Sequence, residues 1–142
     1  MLAAIEEAKI AFEKGEVPVG AVIVKDNKII ARGHNRREET QNALSHAETE
    51  AIYNACKTLG CWRLDGCSIY VTLEPCPMCA GAILNSRIKE VIFGAYDETY
   101  GCFGSSVSFD MPGGFATPRI VGGYMTEPCE ELLRSFFSAM RK

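Results

Sequence analysis

Cys76-Pro77-Met78-Cys79 places two thiols three residues apart, where an apolar strand-like run gives way to a helical pattern. Pro77 suits the first turn of a helix, and at a helix start the free N–H groups and the positive end of the dipole stabilise thiolates. Two chemistries use such a pair. One is thiol–disulfide exchange; the other is a metal site in which two thiolates fill two of the four tetrahedral positions on zinc. Two inert buried cysteines are the plainer third reading.

His46-Ala47-Glu48 separates these alternatives. Ser45 is read as the N-cap of a second helix over about 46–59, with Glu48 completing a capping box. His46 then opens its own helix, and its imidazole can converge with Cys76 and Cys79 at a point between two helix N-termini. One nitrogen and two sulfur ligands leave the fourth position open, as in a catalytic rather than a structural zinc site. Glu48 is placed beside that position without binding the metal. A carboxylate there can take a proton from a water acidified by the metal and deliver it elsewhere. Thiol–disulfide exchange uses neither His46 nor Glu48.

The other residues carry less. A histidine at a helix start is commonly a capping or packing residue, and Asn35 is commonly a turn residue. Cys56, Cys61, Cys67, Cys102 and Cys129 lie at no ligand spacing and read as small hydrophobes or surface thiols. Seven cysteines are an odd number, and the reduced form is expected for most of them.

The elements that position these groups follow from periodicity. Leu2, Ile5, Ala8 and Phe12 recur at helical intervals, and this first helix is expected to end at Gly15. Val19 to Val24 and Lys28 to Ala31 flank Asp26-Asn27, a two-residue hairpin signal. Residues 33–45 read as polar and irregular. Cys67 to Leu73 is a buried strand, followed by the helix at Pro77, where Ala80 and Gly81 are expected to allow close packing. Glu90 to Phe93 and Ile120 to Gly122 read as strands, with an irregular Gly-rich stretch over 94–119 between them. A last helix begins near Thr126 to Pro128, striped by Leu132, Leu133, Phe136, Phe137 and Met140. Strands alternating with helices after a hairpin predict a mixed sheet covered on both faces, a three-layer α/β/α architecture of the α/β class.

At 142 residues the chain is expected to form one domain over 1–142. With 47% hydrophobic and 23% charged residues, it is neither disordered nor fibrous in composition. The longest uncharged stretch, within 75–87, is shorter than the roughly 20 residues that span a bilayer. Glu6, Glu7 and Lys9 near the start are unlike a secretory signal, so a cytoplasmic location without membrane contact is expected. A net charge of −3 counts against a broad nonspecific grip on nucleic acid. Local cations remain at Arg36, Arg37, Arg63, Arg87 and Lys89, with Arg134, Arg141 and Lys142 on the last helix.

His46-Ala47-Glu48 together with Thr72-Leu73-Glu74-Pro75-Cys76-Pro77-Met78-Cys79-Ala80-Gly81-Ala82-Ile83 resembles the cytidine deaminase superfamily, specifically its bacterial tRNA adenosine deaminase branch. The resemblance extends to Glu16 to Val22, His34-Asn35-Arg36, Ser86-Arg87-Ile88, Phe93-Gly94-Ala95 and Phe136-Phe137. It implies a cytidine-deaminase-like fold with a central sheet of about five strands. It implies one Zn2+ per chain on His46, Cys76 and Cys79, with Glu48 as the catalytic proton shuttle. Asn35 and the N–H of Ala47 would meet the base, and Asp97 would lie near the ribose. A homodimer acting on the anticodon arm of tRNA follows from the same likeness. A free nucleobase or nucleoside is the alternative substrate. The run Asp97-Glu98-Thr99-Tyr100-Gly101-Cys102 departs from the tRNA-acting pattern, which commonly has a Lys two residues after that Asp.

Overall fold

The structure, a computed structural model, describes residues 1–109 and 116–141. Parts of the 94–119 stretch, and Lys142, therefore lie outside the described residues. The hairpin forms as its turn chemistry dictates: β1 (Gly20–Lys25) and β2 (Lys28–His34) are antiparallel, and Asp26 and Asn27 take φ of 50° and 61°. Positive φ at both central residues gives the turn twist that matches the strands. Strand β3 (Ser68–Leu73) pairs antiparallel with β1, whereas β4 (Glu90–Ala95) and β5 (Arg119–Val121) continue the sheet in parallel. The resulting five-stranded mixed sheet has the order β2-β1-β3-β4-β5.

Helices α1 (Leu2–Glu13) and α5 (Thr126–Met140) pack together against one face, and α3 (Ala47–Leu59) with α4 (Pro77–Asn85) covers the other. The sheet contributes Ile23, Ile69, Val71, Val91 and Phe93 to a buried core that Ala47, Ala51, Ala55 and Ile83 fill from the helices. Alanines on the inward face of α3 let it lie close to the sheet. Gly33 shows how close, since a Cβ there would lie 2.5 Å from the Ala51 nitrogen and 2.6 Å from the Ala47 carbonyl oxygen. Gly20 does the same toward α1: an added Cβ would run into the Ala4 carbonyl and sit 2.5 Å from the Ala8 nitrogen. Neither helix backbone can yield as a flexible side chain would. Gly20→Ala is therefore expected to destabilise the protein by about 1–3 kcal/mol, the usual cost of overpacking, read as a lower urea midpoint at unchanged slope.

Three local expectations are corrected. Residues 33–45 are not irregular throughout, because β2 runs to His34 and a short helix, α2 (Arg37–Thr40), follows. Its first turn is held by Glu16, whose buried carboxylate accepts the N–H groups of Glu38 at 3.1 Å and Glu39 at 2.7 Å. The N-cap of α3 is His46, not Ser45, and Thr49 rather than Glu48 closes the reciprocal bond, accepting the His46 N–H at 3.0 Å. Ser45 instead donates its hydroxyl to Glu50. Gly81 packs against nothing, with open space where a Cβ would be. Among the described residues no helix is long and apolar enough to cross a membrane.

This topology brings several chain ends to one edge of the sheet. The parallel strands β3 and β4 run toward it, β1 starts from it and β2 returns to it, so 17–19, 34–35, 73–76 and 95–100 meet there. In open α/β sheets that edge, outside the carboxyl ends of the parallel strands, is where ligands bind.

Candidate active site

His46 and Cys76 each sit at a helix N-cap in extended backbone, with φ and ψ of −89° and 163° and of −77° and 174°. Helices α3 and α4 pack side by side, so their N-terminal ends point at one spot, and Cys79 reaches it from the first turn of α4. His46 Nδ1 lies 3.6 Å from Cys76 Sγ and 3.5 Å from Cys79 Sγ. One donor atom from each of the three residues falls within 4.8 Å of the others. Tetrahedral zinc with metal–nitrogen and metal–sulfur bonds of about 2.0 and 2.3 Å sets neighbouring N and S ligands about 3.6 Å apart. The spacing therefore fits the metal that the donor types suggest. Two helix dipoles directed at the same point add to it by favouring thiolate over thiol.

The protonation pattern follows from the same contacts. A hydrogen bond from Cys79, with a second from His46, pulls the Cys76 thiol down to about 4. Cys79 is pushed up, because it donates to Cys76 and is buried. The bond to Cys76 raises His46. Such a set holds one thiolate already formed, and a metal ion would displace the proton on Cys79.

Glu48, the second residue of α3, is 4% exposed and outside the ligand group. Burial pushes its carboxyl up to about 7. A group poised there can accept a proton in one step and return it in another near neutral pH. Glu48 and the ligands His46 and Cys76 line a cavity of about 640 Å³, within the usual range for small-molecule sites.

The sequence-based substrate residues also line this cavity. Asn35 is 7% exposed, anchored by its amide donating to the Val17 carbonyl at 3.3 Å and by its oxygen accepting the Arg37 N–H at 3.3 Å. Ala47 is the first residue of α3, a position whose N–H the helix itself leaves unused. Asp97 forms the opposite wall. One of its oxygens accepts the N–H groups of Thr99 and Tyr100, both at 3.1 Å, so it also shapes its own loop. Sequence reasoning did not single out Val17, Val19 and Leu73, which give the cavity an apolar side, or Tyr96, Tyr100 and Phe137, which stand exposed around its mouth. Nor did it single out Glu74, a buried carboxylate directly before Pro75. Phe137 carried a visible signal, the helical stripe, but periodicity assigned it to packing.

Of the cations named from the sequence that lie among the described residues, Arg37 alone lines the cavity. Arg36 is engaged by Glu39 at 2.6 Å and Glu50 at 3.7 Å, Arg63 by Asp65 at 2.8 Å, and Arg134 by Glu130 at 3.6 Å. The remaining five cysteines are free thiols.

A five-stranded mixed sheet between helix layers, with a His/Cys/Cys group where the strands meet two helix N-termini, defines a protein of the cytidine-deaminase-like fold. The chain belongs to the MafB19-like deaminase family, which matches residues 1–137. It is 50% identical to the tRNA-specific adenosine deaminase of Bacillus subtilis, an alignment covering 100% of this chain and 89% of that protein. A solved structure from work on A-to-I editing by tRNA:A34 deaminases at the wobble position of transfer RNA is 42% identical. It superposes with a TM-score of 0.89 over 94% of this chain and 97% of that one. The guanine deaminase of Bacillus subtilis, 32% identical over 97% of this chain and 88% of its own, matches with a TM-score of 0.64.

Proposed function

We propose that this chain is a zinc-dependent hydrolase that deaminates adenosine to inosine at the wobble position of a tRNA anticodon loop, acting as a homodimer in the cytoplasm. The observation that carries the chemistry is the convergence of His46 Nδ1 with two thiol sulfurs beside a buried carboxylate that is not part of the ligand set. The full-length likeness to the tRNA-specific adenosine deaminase of Bacillus subtilis supports the choice of substrate.

In this reading His46, Cys76 and Cys79 would hold one zinc ion, which would supply Lewis-acid activation of a water molecule. Glu48 accepts a proton from the attacking water and passes it to the ring nitrogen of adenine as oxygen adds to C6. The same carboxyl then takes a second proton, from the hydroxyl now on C6, and delivers it to the departing amine as the C6 carbonyl forms, so that water and adenosine become inosine and ammonia. The Asn35 amide and the Ala47 N–H orient the base, and Asp97 contacts the ribose. The apolar side formed by Val17, Val19 and Leu73 excludes water from the ring. A loop nucleotide is already unpaired, so turning it into the cavity costs less than extruding a duplex base, which takes a few kcal/mol.

The test is inosine formation on an anticodon stem-loop, run beside adenosine, guanine and cytosine as free substrates. Turnover of the stem-loop supports the proposal. Turnover of a free base without any on the stem-loop overturns the tRNA reading and supports the small-molecule alternative, which the guanine deaminase likeness favours. Light scattering tests the dimer.

Binding to RNA adds a second expectation. Affinity for the stem-loop should fall with salt, at a log–log slope of about 0.7 per phosphate contact for single-stranded RNA. Arg37→Gln, at the cavity mouth, is expected to weaken binding and flatten that slope by about one contact. An unchanged slope removes Arg37 from the phosphate contacts.

A further inference from the structure

Glu74 is a carboxylate 2% exposed that the chemistry above does not use. It sits between the end of β3 and Pro75, two residues before the ligand Cys76. Its oxygens are occupied by a single segment. Oε1 accepts the Asp97 N–H at 3.1 Å and the Ser105 hydroxyl, and Oε2 accepts the N–H groups of Phe103 at 3.0 Å and Ser105 at 3.1 Å. The Cys102 N–H bonds back to the Pro75 carbonyl at 2.9 Å, and the Glu74 N–H bonds to Ala95 at 2.9 Å. The loop after β4 is thus wrapped around one buried side chain that is covalently continuous with the ligand turn. Residues 97–100 of that loop form the cavity wall facing Asn35. Gly101 lies against the carboxylate so closely that an added Cβ would strike both the Glu74 carboxylate and the Asp97 carbonyl.

We propose that Glu74 is a positioning residue that fixes the Asp97–Tyr100 wall at a set distance from Cys76, so that substrate binding depends on a carboxylate whose two oxygens are both engaged by the loop. The proposal rests on the deaminase reading above for what the wall contacts. The loop's own backbone bonds, among them the bridge between Phe103 and Ser108 and the Gly101 N–H to the Asp97 carbonyl at 2.8 Å, are joined by Glu74, which satisfies three further N–H groups and a hydroxyl at once. An amide of the same shape cannot do so. Whichever way the Gln of Glu74→Gln is turned, its NH₂ meets the N–H of Asp97 or the N–H pair of Phe103 and Ser105.

The test uses the zinc-loaded protein and three variants. Glu74→Gln and Gly101→Ala break the contact from opposite sides, and Ser105→Ala removes the hydroxyl while leaving the backbone bond. The expected result for the first two is a rise in KM of about tenfold or more with kcat within a few-fold, at unchanged zinc content. Hydrogen exchange at the Asp97, Phe103 and Ser105 amides should accelerate by about tenfold or more, with the core strands unchanged. Ser105→Ala should show the same pattern at reduced size. A fall in melting temperature with KM and the three amides unchanged overturns the proposal, as does loss of zinc in proportion to lost activity. Should Glu74→Gln fail to fold, Gly101→Ala carries the same two readouts. If the wild-type protein does not turn over the stem-loop, the deaminase reading fails on substrate while amide exchange still decides Glu74: acceleration in both variants supports its role, and none overturns it.

Discussion

Glu48→Gln is expected to leave zinc content and melting temperature at wild-type levels and to lower turnover by about 10²- to 10⁴-fold, the range that one acid–base group contributes. The side chain is buried and stands outside the group of three ligands, so an amide of equal size disturbs neither the metal nor the packing. Burial pushes the carboxyl up to about 7, which means that the charged form is the one the site disfavours. A neutral amide has no such cost, and stability is not expected to fall. What disappears is the ability to take a proton and give it back. Metal analysis, thermal melting and single-turnover inosine formation on one preparation separate these effects. If the variant loses zinc as completely as a ligand variant does, Glu48 is a ligand and the assignment of roles is wrong.

The convergence of His46, Cys76 and Cys79 was legible because it is written in short-range spacing. A Cys-x-x-Cys beginning with a proline at the first helical position can place both sulfurs in only a few ways, and a His-x-Glu at another helix start sends its two side chains to nearby but different points. Periodicity likewise carried the hairpin, the sheet strands and the terminal helix to within a few residues. What failed was decided by competition among near-equal local partners. Ser45 is a stronger N-capping type than His46, yet it is His46 that stands at the cap, and Thr49 closes the box while Glu48 is turned to the cavity. Helix α2 was illegible because four polar residues have no apolar stripe, and it is held by Glu16, some twenty positions away. Glu74 was missed for the same reason: its partners lie in a loop whose approach depends on β3 and β4 pairing in parallel. Long-range hydrogen bonds to backbone leave no periodic trace.

His46→Ala is expected to abolish activity by a different route, through loss of the metal. Disturbing an outer-shell partner of a zinc ligand already costs about 10- to 100-fold in affinity, and removing one of three protein ligands should cost more. The variant should therefore purify with little zinc where the wild type is expected to carry one ion per chain. Because the assembled three-ligand site should hold zinc more tightly than the unfolded chain does, loss of the metal should also lower the melting temperature, and chelation of the wild type should reproduce that shift. Thiol labelling gives an independent view. Bound zinc should shield Cys76 and Cys79 from iodoacetamide. After chelation Cys76 should react first, being the partly exposed thiol pulled down to about 4, whereas Cys79 is buried and pushed up. A thiol–disulfide protein would give the opposite record. It would purify without zinc, show Cys76 joined to Cys79 under oxidising conditions, and be indifferent to His46→Ala, since neither the imidazole nor Glu48 has a part in that chemistry. The two sulfurs alone fit both readings; the imidazole between them, 3.6 and 3.5 Å from each, is what a disulfide has no use for.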